Sequence, residues 1–277
     1  MFISIDLGGT NTRIASSDNC TDIAKIEVFK SIHNVPEQRE KIVKTTEALL
    51  QGEVLEGLCI GIPGMINRSS KTIVKASNYP ELNNVSVYDL IGIQVGENFF
   101  LENDAALGGL GETLRGAGRG NQAVAYITLG TGVGGSLIEN GKISDARSLS
   151  EPGHMIINFD AEVKDTLSYK GSLEAYVSGK SFMSQYNIKP EDCDDLEIWE
   201  KYSGHLVFGV LNVIAMWGPD KIVIGGGLSN KFNYFISGLQ DKLKKYGSFE
   251  FPEIVKSELG DSSGIVGGFE FLAQHLV

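Results

Sequence analysis

The chain has 277 residues, of which 34 are glycine, only 7 are proline and 42% are hydrophobic. Glycine at about 12%, against an average near 7%, has no three-residue period that would indicate collagen, and the apolar content rules out a disordered linker. Its 24 basic and 35 acidic residues give a net charge of −11, a field that repels polyanions and anionic lipid and argues against nucleic acid and membrane surfaces as partners.

The length suggests about two domains around a sizeable core. Residues 2–7 are β-branched and aromatic, break at Gly8-Gly9-Thr10 and resume over 12–15, which predicts a strand hairpin. Residues 36–51 carry Ile42, Val43, Thr46, Leu49 and Leu50 at helical spacing between Pro36-Glu37 and Gly52, an amphipathic helix. Short apolar strands over 58–62 and 99–101 end at Pro63-Gly64 and at Glu102-Asn103-Asp104. Residues 124–129 and 134–138 flank Gly130-Thr131-Gly132, a second strand, turn and strand, so the chain is expected to contain two related halves. Helical patterns follow over 173–186 and 197–217. Next come a buried strand over 221–224 ending in Gly225-Gly226-Gly227, a helix capped by Ser229 and running toward Tyr246, and a closing helix over 265–276. Strands mixed with helices and ending in glycine turns indicate an α/β protein whose ligand sits at strand ends. Cys20, Cys59 and Cys193 are scattered and form no C-x-x-C, as expected of reduced thiols in a cytoplasmic protein. The N-terminal stretch lacks the basic and apolar regions of a signal peptide, and no run approaches the roughly 18 apolar residues of a membrane span.

Gly130, Gly132 and Gly135 formally satisfy the dinucleotide-binding G-x-G-x-x-G, but that fingerprint needs a helix after its turn, whereas residues 134–138 continue as a strand. Gly179-Lys180-Ser181 imitates the end of a P-loop, yet Glu174 stands where that motif requires glycine. What remains is two hairpin turns, Gly8-Gly9-Thr10-Asn11 and Gly130-Thr131-Gly132, each able to aim backbone N–H groups and a threonine hydroxyl at an anion. Either turn alone could be an empty hairpin; two of them, with Asp6 beside the first, point to phosphate. An aspartate next to such amides implies a cation, for which Mg²⁺ is the natural candidate.

The stretch Asp6-Leu7-Gly8-Gly9-Thr10-Asn11-Thr12-Arg13, the strand end Glu102-Asn103-Asp104, the turn 129–135, Glu151-Pro152-Gly153-His154 and Ile224-Gly225-Gly226-Gly227 resemble, in order and over nearly the whole chain, the ROK (repressor, open reading frame, kinase) family of sugar kinases. The resemblance implies an actin-like, ribonuclease-H-like fold with ATP and sugar in an interdomain cleft. The smaller domain would comprise residues 1–106, joined by the helix 264–277, and the larger one residues 107–263. It makes Asp104 the general base, with Asn103, Asn78, Glu151, His154 and Glu174 contacting a hexose and Gly64 giving it close approach. Each has a plainer structural role open to it: a helix N-cap for Asp104, a core histidine for His154, a first-turn charge for Glu174, and turns for Asn78 and Gly64.

ATP and Mg²⁺ would be held by Asp6, Gly8, Gly9, Thr10, Asn11, Thr12, Gly130, Thr131, Gly132, Gly225, Gly226 and Gly227, with Asp6 toward the metal. Arg115 and Arg119 are left to a solvated loop. Many family members carry three zinc-binding cysteines where this chain has Asp165, Leu167 and Ser172, so no structural zinc is expected, and the loop around His154 should be held by packing of Leu167, Tyr169 and Leu173. The implied activity is phosphorylation of a hexose hydroxyl, the 6-hydroxyl of glucose first. N-acetylmannosamine, N-acetylglucosamine, fructose and allose are alternatives, and a non-catalytic sugar sensor is the reading from another class. The family also suggests a homodimer. Its repressor branch carries a DNA-binding module ahead of the sugar domain, which is not expected in a chain that opens on its first strand.

Overall fold

The structure, a computed structural model, describes residues 1–144, 150–246 and 250–276. Its first sheet runs β3(Lys25–Lys30), β2(Asn11–Ser17), β1(Phe2–Leu7), β4(Gly57–Ile62), β7(Phe99–Asn103) in spatial order. The second runs β10(Lys142–Ile143), β9(Val133–Glu139), β8(Ala123–Leu129), β11(Lys221–Gly225), β12(Glu253–Lys256). In each sheet the first three strands pair antiparallel and the last two join in parallel, so the two halves share one topology. A small hairpin of β5(Met65–Asn67) and β6(Thr72–Lys75) extends the first half.

The hydrophobic spacing explains the helices. α1(Val35–Leu50) buries Ile42, Thr45, Thr46 and Leu49 and is capped by the Asn34 side chain accepting from Glu37 N, as an N-cap asparagine does; the short α2(Val87–Ile91) buries Val87, Leu90 and Ile91. α3(Asp104–Arg115) and α8(Ser263–His275) lie between the sheets and join one core of Leu107, Leu110, Ile265, Phe269 and Leu272 with Cys59 and Ile138. They cross so closely that a Cβ on Gly267 would collide with the Leu107 carbonyl, and one on Gly111 with the Ser263 carbonyl. At the far end of α3, the fully buried Glu112 carboxylate accepts from Ser257 Oγ, from Glu258 N at 3.1 Å, from Leu259 N at 2.9 Å and from Ala117 N at 2.9 Å. α6(Leu196–Trp217) and α7(Phe232–Tyr246) cover the second sheet through Trp199, Tyr202, Phe235 and Leu239.

Two expectations change. The helix over 173–186 is two pieces, α4(Glu174–Val177) and α5(Gly179–Tyr186), because Ser178 is extended and its hydroxyl accepts from Ser181 N. Ser229 does not cap α7; it lies inside a 3-10 turn over Gly227–Lys231, and its backbone N–H donates to the Gly226 carbonyl. The two glycine turns have the lengths read from the sequence: Leu7 pairs with Thr12 and Leu129 with Val133, leaving four residues in the first loop and three in the second. All three cysteines are buried and unpaired, and among the described residues no helix is long and apolar enough to cross a membrane.

Candidate active site

The carboxyl ends of β1, β4, β7, β8 and β11 face one cleft, the position that open α/β sheets use for ligands. Two cavities occupy it. One is lined by Gly64, Asn78, Asn103, Glu151, His154, Glu174 and both glycine turns. The other is lined by Asp6, Gly8, Gly9, Thr10, Asn11, Gly130, Thr131, Gly226 and Gly227. Asp104 and Ala105 line both. Every residue expected around the sugar lines the first chamber; of those expected around phosphate, Asp6, Gly8, Thr10, Asn11, Gly226 and Gly227 line the second alone, while Gly9, Gly130 and Thr131 line both, as Asp104 does.

Asp104 is the first residue of α3, and the cap is its neighbour. Asn103 Oδ1 accepts from Ala106 N at 3.0 Å, while Asn103 Nδ2 donates to Gly64 O at 3.1 Å. This leaves the Asp104 carboxylate with the Ala105 N–H at 2.8 Å. Burial pushes it up to about 6 against that backbone bond. Glu151 is pushed up to about 8 by burial, then by Asp104 and Glu174. Asp6 is pushed up to about 7 by burial, then by Asp104, with Arg13 opposing and Asp261 adding to the rise.

Arg13 is the residue that the sequence reading missed. It pairs with Asp6 at 3.6 Å and Asp261 at 2.8 Å and lines the second cavity. The signal lay in the hairpin register, because Asp6 and Arg13 stand directly opposite each other on β1 and β2, and opposed residues share a face. The same pleat corrects Thr12, whose side chain is fully buried away from the cavity and bonds Ser31 Oγ at 2.9 Å and Gln38 Nε2 at 3.0 Å.

Gly225 is corrected too. It lines neither cavity, and a Cβ there would collide with the Tyr126 hydroxyl. Gly227 meets nothing within 4 Å and opens onto the chamber, whereas Gly226 takes φ +78° against the Leu129 backbone. Gly132 lines the sugar-side chamber and not the phosphate one. Gly64 has φ +90°, and a Cβ there would strike the Lys75 carbonyl, so the tight turn accounts for this glycine. Arg115 and Arg119 lie outside both chambers, paired with Glu270 and Glu258.

The loop around His154 is held by a polar hub rather than by packing alone. Asp165, with no exposed side-chain surface, accepts from His154 Nδ1 at 2.8 Å and from Leu167 N and Tyr169 N, both at 2.9 Å. Burial pushes its carboxyl up, but bonds from Ser172, His154 and Tyr169 hold it below the usual range. Leu173 packs in the core, and Tyr169 meets the His154 ring edge-on at 5.6 Å. Glu174 anchors the second turn, accepting from Val133 N at 2.9 Å and from Thr166 N at 3.2 Å. His154, Asp165 and Glu174 offer ligand atoms within 4.8 Å of one another, but both carboxylates already receive protein donors.

For Mg²⁺ the fit is better on the other side. Asp6, Asp104 and Asp261 face the second chamber with Arg13 as the counter-charge, a donor set of hard oxygens that suits this cation.

Comparison with known proteins bears on family and fold. The ROK family profile matches residues 2–275, and the chain belongs to that family. A glucokinase of Thermotoga maritima is 27% identical over 99% of this chain and 98% of its own. An N-acetyl-D-glucosamine kinase of Mannheimia succiniciproducens is 28% identical over 96% and 97%. The crystal structure of a ROK family glucokinase from Streptomyces griseus with glucose and AMPPNP superposes with a TM-score of 0.84 at 22% identity, covering 99% of both chains. The expected actin-like fold and the enzyme class of sugar kinase agree with these relatives.

Proposed function

We propose that the chain transfers the γ-phosphoryl group of ATP to a hexose hydroxyl, the 6-hydroxyl of glucose in the first instance. The observation that carries this reading is the position of Asp104 at the junction of the two chambers. A phosphoryl acceptor and donor in those chambers meet where a carboxylate can take a proton, and positioning of this kind supplies most of the catalysis in phosphoryl transfer.

The sugar lies among Gly64, Asn78, Asn103, Glu151, His154 and Glu174. Carboxylates and amides bind adjacent hydroxyls of a polyol, and leaving such a buried group unpartnered is costly. The Nδ1 of His154 is committed to Asp165, leaving Nε2 for the ligand. Asp104, ionised above about pH 6, accepts the proton of the sugar hydroxyl as its oxygen bonds to the γ-phosphorus and the bond to ADP breaks. Backbone amides of the two glycine turns hold the phosphates. Asp6 would hold Mg²⁺, which when bound neutralises phosphate charge.

The relatives named for glucose and for N-acetylglucosamine are about equally similar, at 27% and 28% identity. Leu167, an apolar residue in the sugar chamber, favours N-acetylated hexosamines as the second reading, because it offers the acetyl methyl a wall. A coupled ADP-release assay over glucose, N-acetylglucosamine, N-acetylmannosamine, fructose and allose ranks the substrates. Asp104→Ala is expected to lower turnover by about 10²- to 10⁴-fold with sugar binding retained in calorimetry. Binding without any turnover by the unaltered chain would instead establish a sugar sensor.

A further inference from the structure

Gly179-Lys180-Ser181, which imitates a P-loop without being one, has a place in the cleft. The first two residues of α5 hang on the second glycine turn, with Gly179 N donating to Gly130 O at 2.8 Å and Lys180 N to Thr131 O at 3.4 Å. The backbone of Lys180 therefore moves with a turn assigned to phosphate. Its side chain crosses to the first half, where Nζ donates to Asn78 Oδ1 at 3.1 Å on the loop after β6.

Asn78 is itself seated between both turns. A Cβ on Gly132 would lie 2.5 Å from Asn78 Nδ2, and one on Gly9 would lie 3.1 Å from Asn78 O. Beside them Thr10 Oγ1 and Thr131 Oγ1 stand 3.2 Å apart across the cleft. Glycine at 9 and 132 thus permits a close approach of the two halves, and Lys180 adds a directional, charge-assisted bond across the same gap.

We propose that Lys180 is a positioning residue, a clasp on Asn78 that holds the cleft closed over the sugar and ties the sugar chamber to the second phosphate turn. The proposal rests on the kinase reading for its kinetic consequence but not for its structural one. Lys180 is exposed, so its replacement leaves the core intact. The clasp requires the bond to exist in the closed cleft and to be lost when the halves part, so removing it weakens sugar retention more than transfer.

The test compares Lys180→Met, which keeps the apolar stem, with Lys180→Arg, which keeps the charge. Lys180→Met is expected to raise the sugar KM by about 5- to 20-fold, the order of one charge-assisted hydrogen bond, with kcat changed less than the KM and the ATP KM unchanged; Lys180→Arg restores most of the loss. Small-angle scattering without ligand should show a larger radius of gyration for Lys180→Met than for the unaltered chain. A sugar KM and a radius that both stay unchanged would overturn the clasp. So would a rise confined to the ATP KM, which would make Lys180 a phosphate ligand. If no sugar is phosphorylated by the unaltered chain, the kinase reading fails, and the scattering comparison still decides the clasp.

Discussion

In the first half Asp6 on β1 stands opposite Arg13 on β2; at the matching place in the second half, Thr128 on β8 stands opposite Gly134 on β9. The scaffold is shared, down to five strands in the same order, but only the first hairpin carries a charged pair beside its turn. The charged hairpin belongs to the chamber assigned to nucleotide and metal. The other hairpin lines both chambers with Thr128, Gly130 and Thr131, and its half brings Glu151, His154 and Glu174 to the first. One repeated scaffold thus presents a charged pair beside one turn and an uncharged pair beside the other.

The comparison is broken most directly at its charged position. Asp6→Asn is expected to lower kcat by about 10²- to 10³-fold, the scale of losing one electrostatic contact in a closed site, while Thr128→Val leaves it within a few-fold in the same coupled assay. Equal losses would mean that the hairpins are equivalent after all. At the seam between the halves, Gly267→Ala should cost about 1–3 kcal/mol or more from overpacking against the Leu107 carbonyl, read as a lower melting temperature. Gly227→Ala, with open space around it, should leave melting unchanged and raise the ATP KM. On the sugar side, Asp165→Asn is expected to raise the sugar KM by about tenfold, the order of a hydrogen bond to a charged group, with little change in the ATP KM.

The smallest effect is in pH. Asp6, Asp104 and Glu151 sit at about 7, 6 and 8 in the folded chain, above ordinary values near 4. Between roughly pH 4 and 8 the folded state binds more protons than the unfolded one, so the stability of the free protein falls as pH rises through that window. Melting temperature should therefore decline by a few degrees from pH 5 to pH 8, and Asp6→Asn should flatten the decline. Turnover runs the other way, failing as pH drops below about 6, where Asp104 takes up a proton.

Much of this was legible in the sequence because apolar period and glycine punctuation are local. β1, β2, β4, β8, β9 and β11 each announce themselves, as do α1 and α6. β3 does not, because it is an edge strand with Ile26 and Val28 exposed, and its pattern lacks a buried face. Residues that the motif puts at strand ends line the two chambers where the motif itself fixes their direction. Thr12 was misplaced and Arg13 missed for one reason, since alternate residues of a strand face opposite ways and the motif does not say which face holds the ligand. The hub at Asp165 was invisible for a different reason. It depends on a loop folding back so that one carboxylate meets His154, two backbone amides and Ser172, and no sequence period marks that convergence.

Helix α3 works as a rigid beam with a functional group at each end. Asp104 opens it at the junction of the chambers, and Glu112 fastens its other end to the segment 257–259, which leads into Gly260 and Asp261 on the nucleotide side. A tilt of the beam displaces Asp104 and the segment leading to Gly260 and Asp261 together, so their separation is protected from small deformations. Glu151, His154 and Glu174 stand on other segments. The first chamber thus draws Asn103 and Asp104 from the beam itself and Glu151, His154 and Glu174 from segments that can vary without moving it.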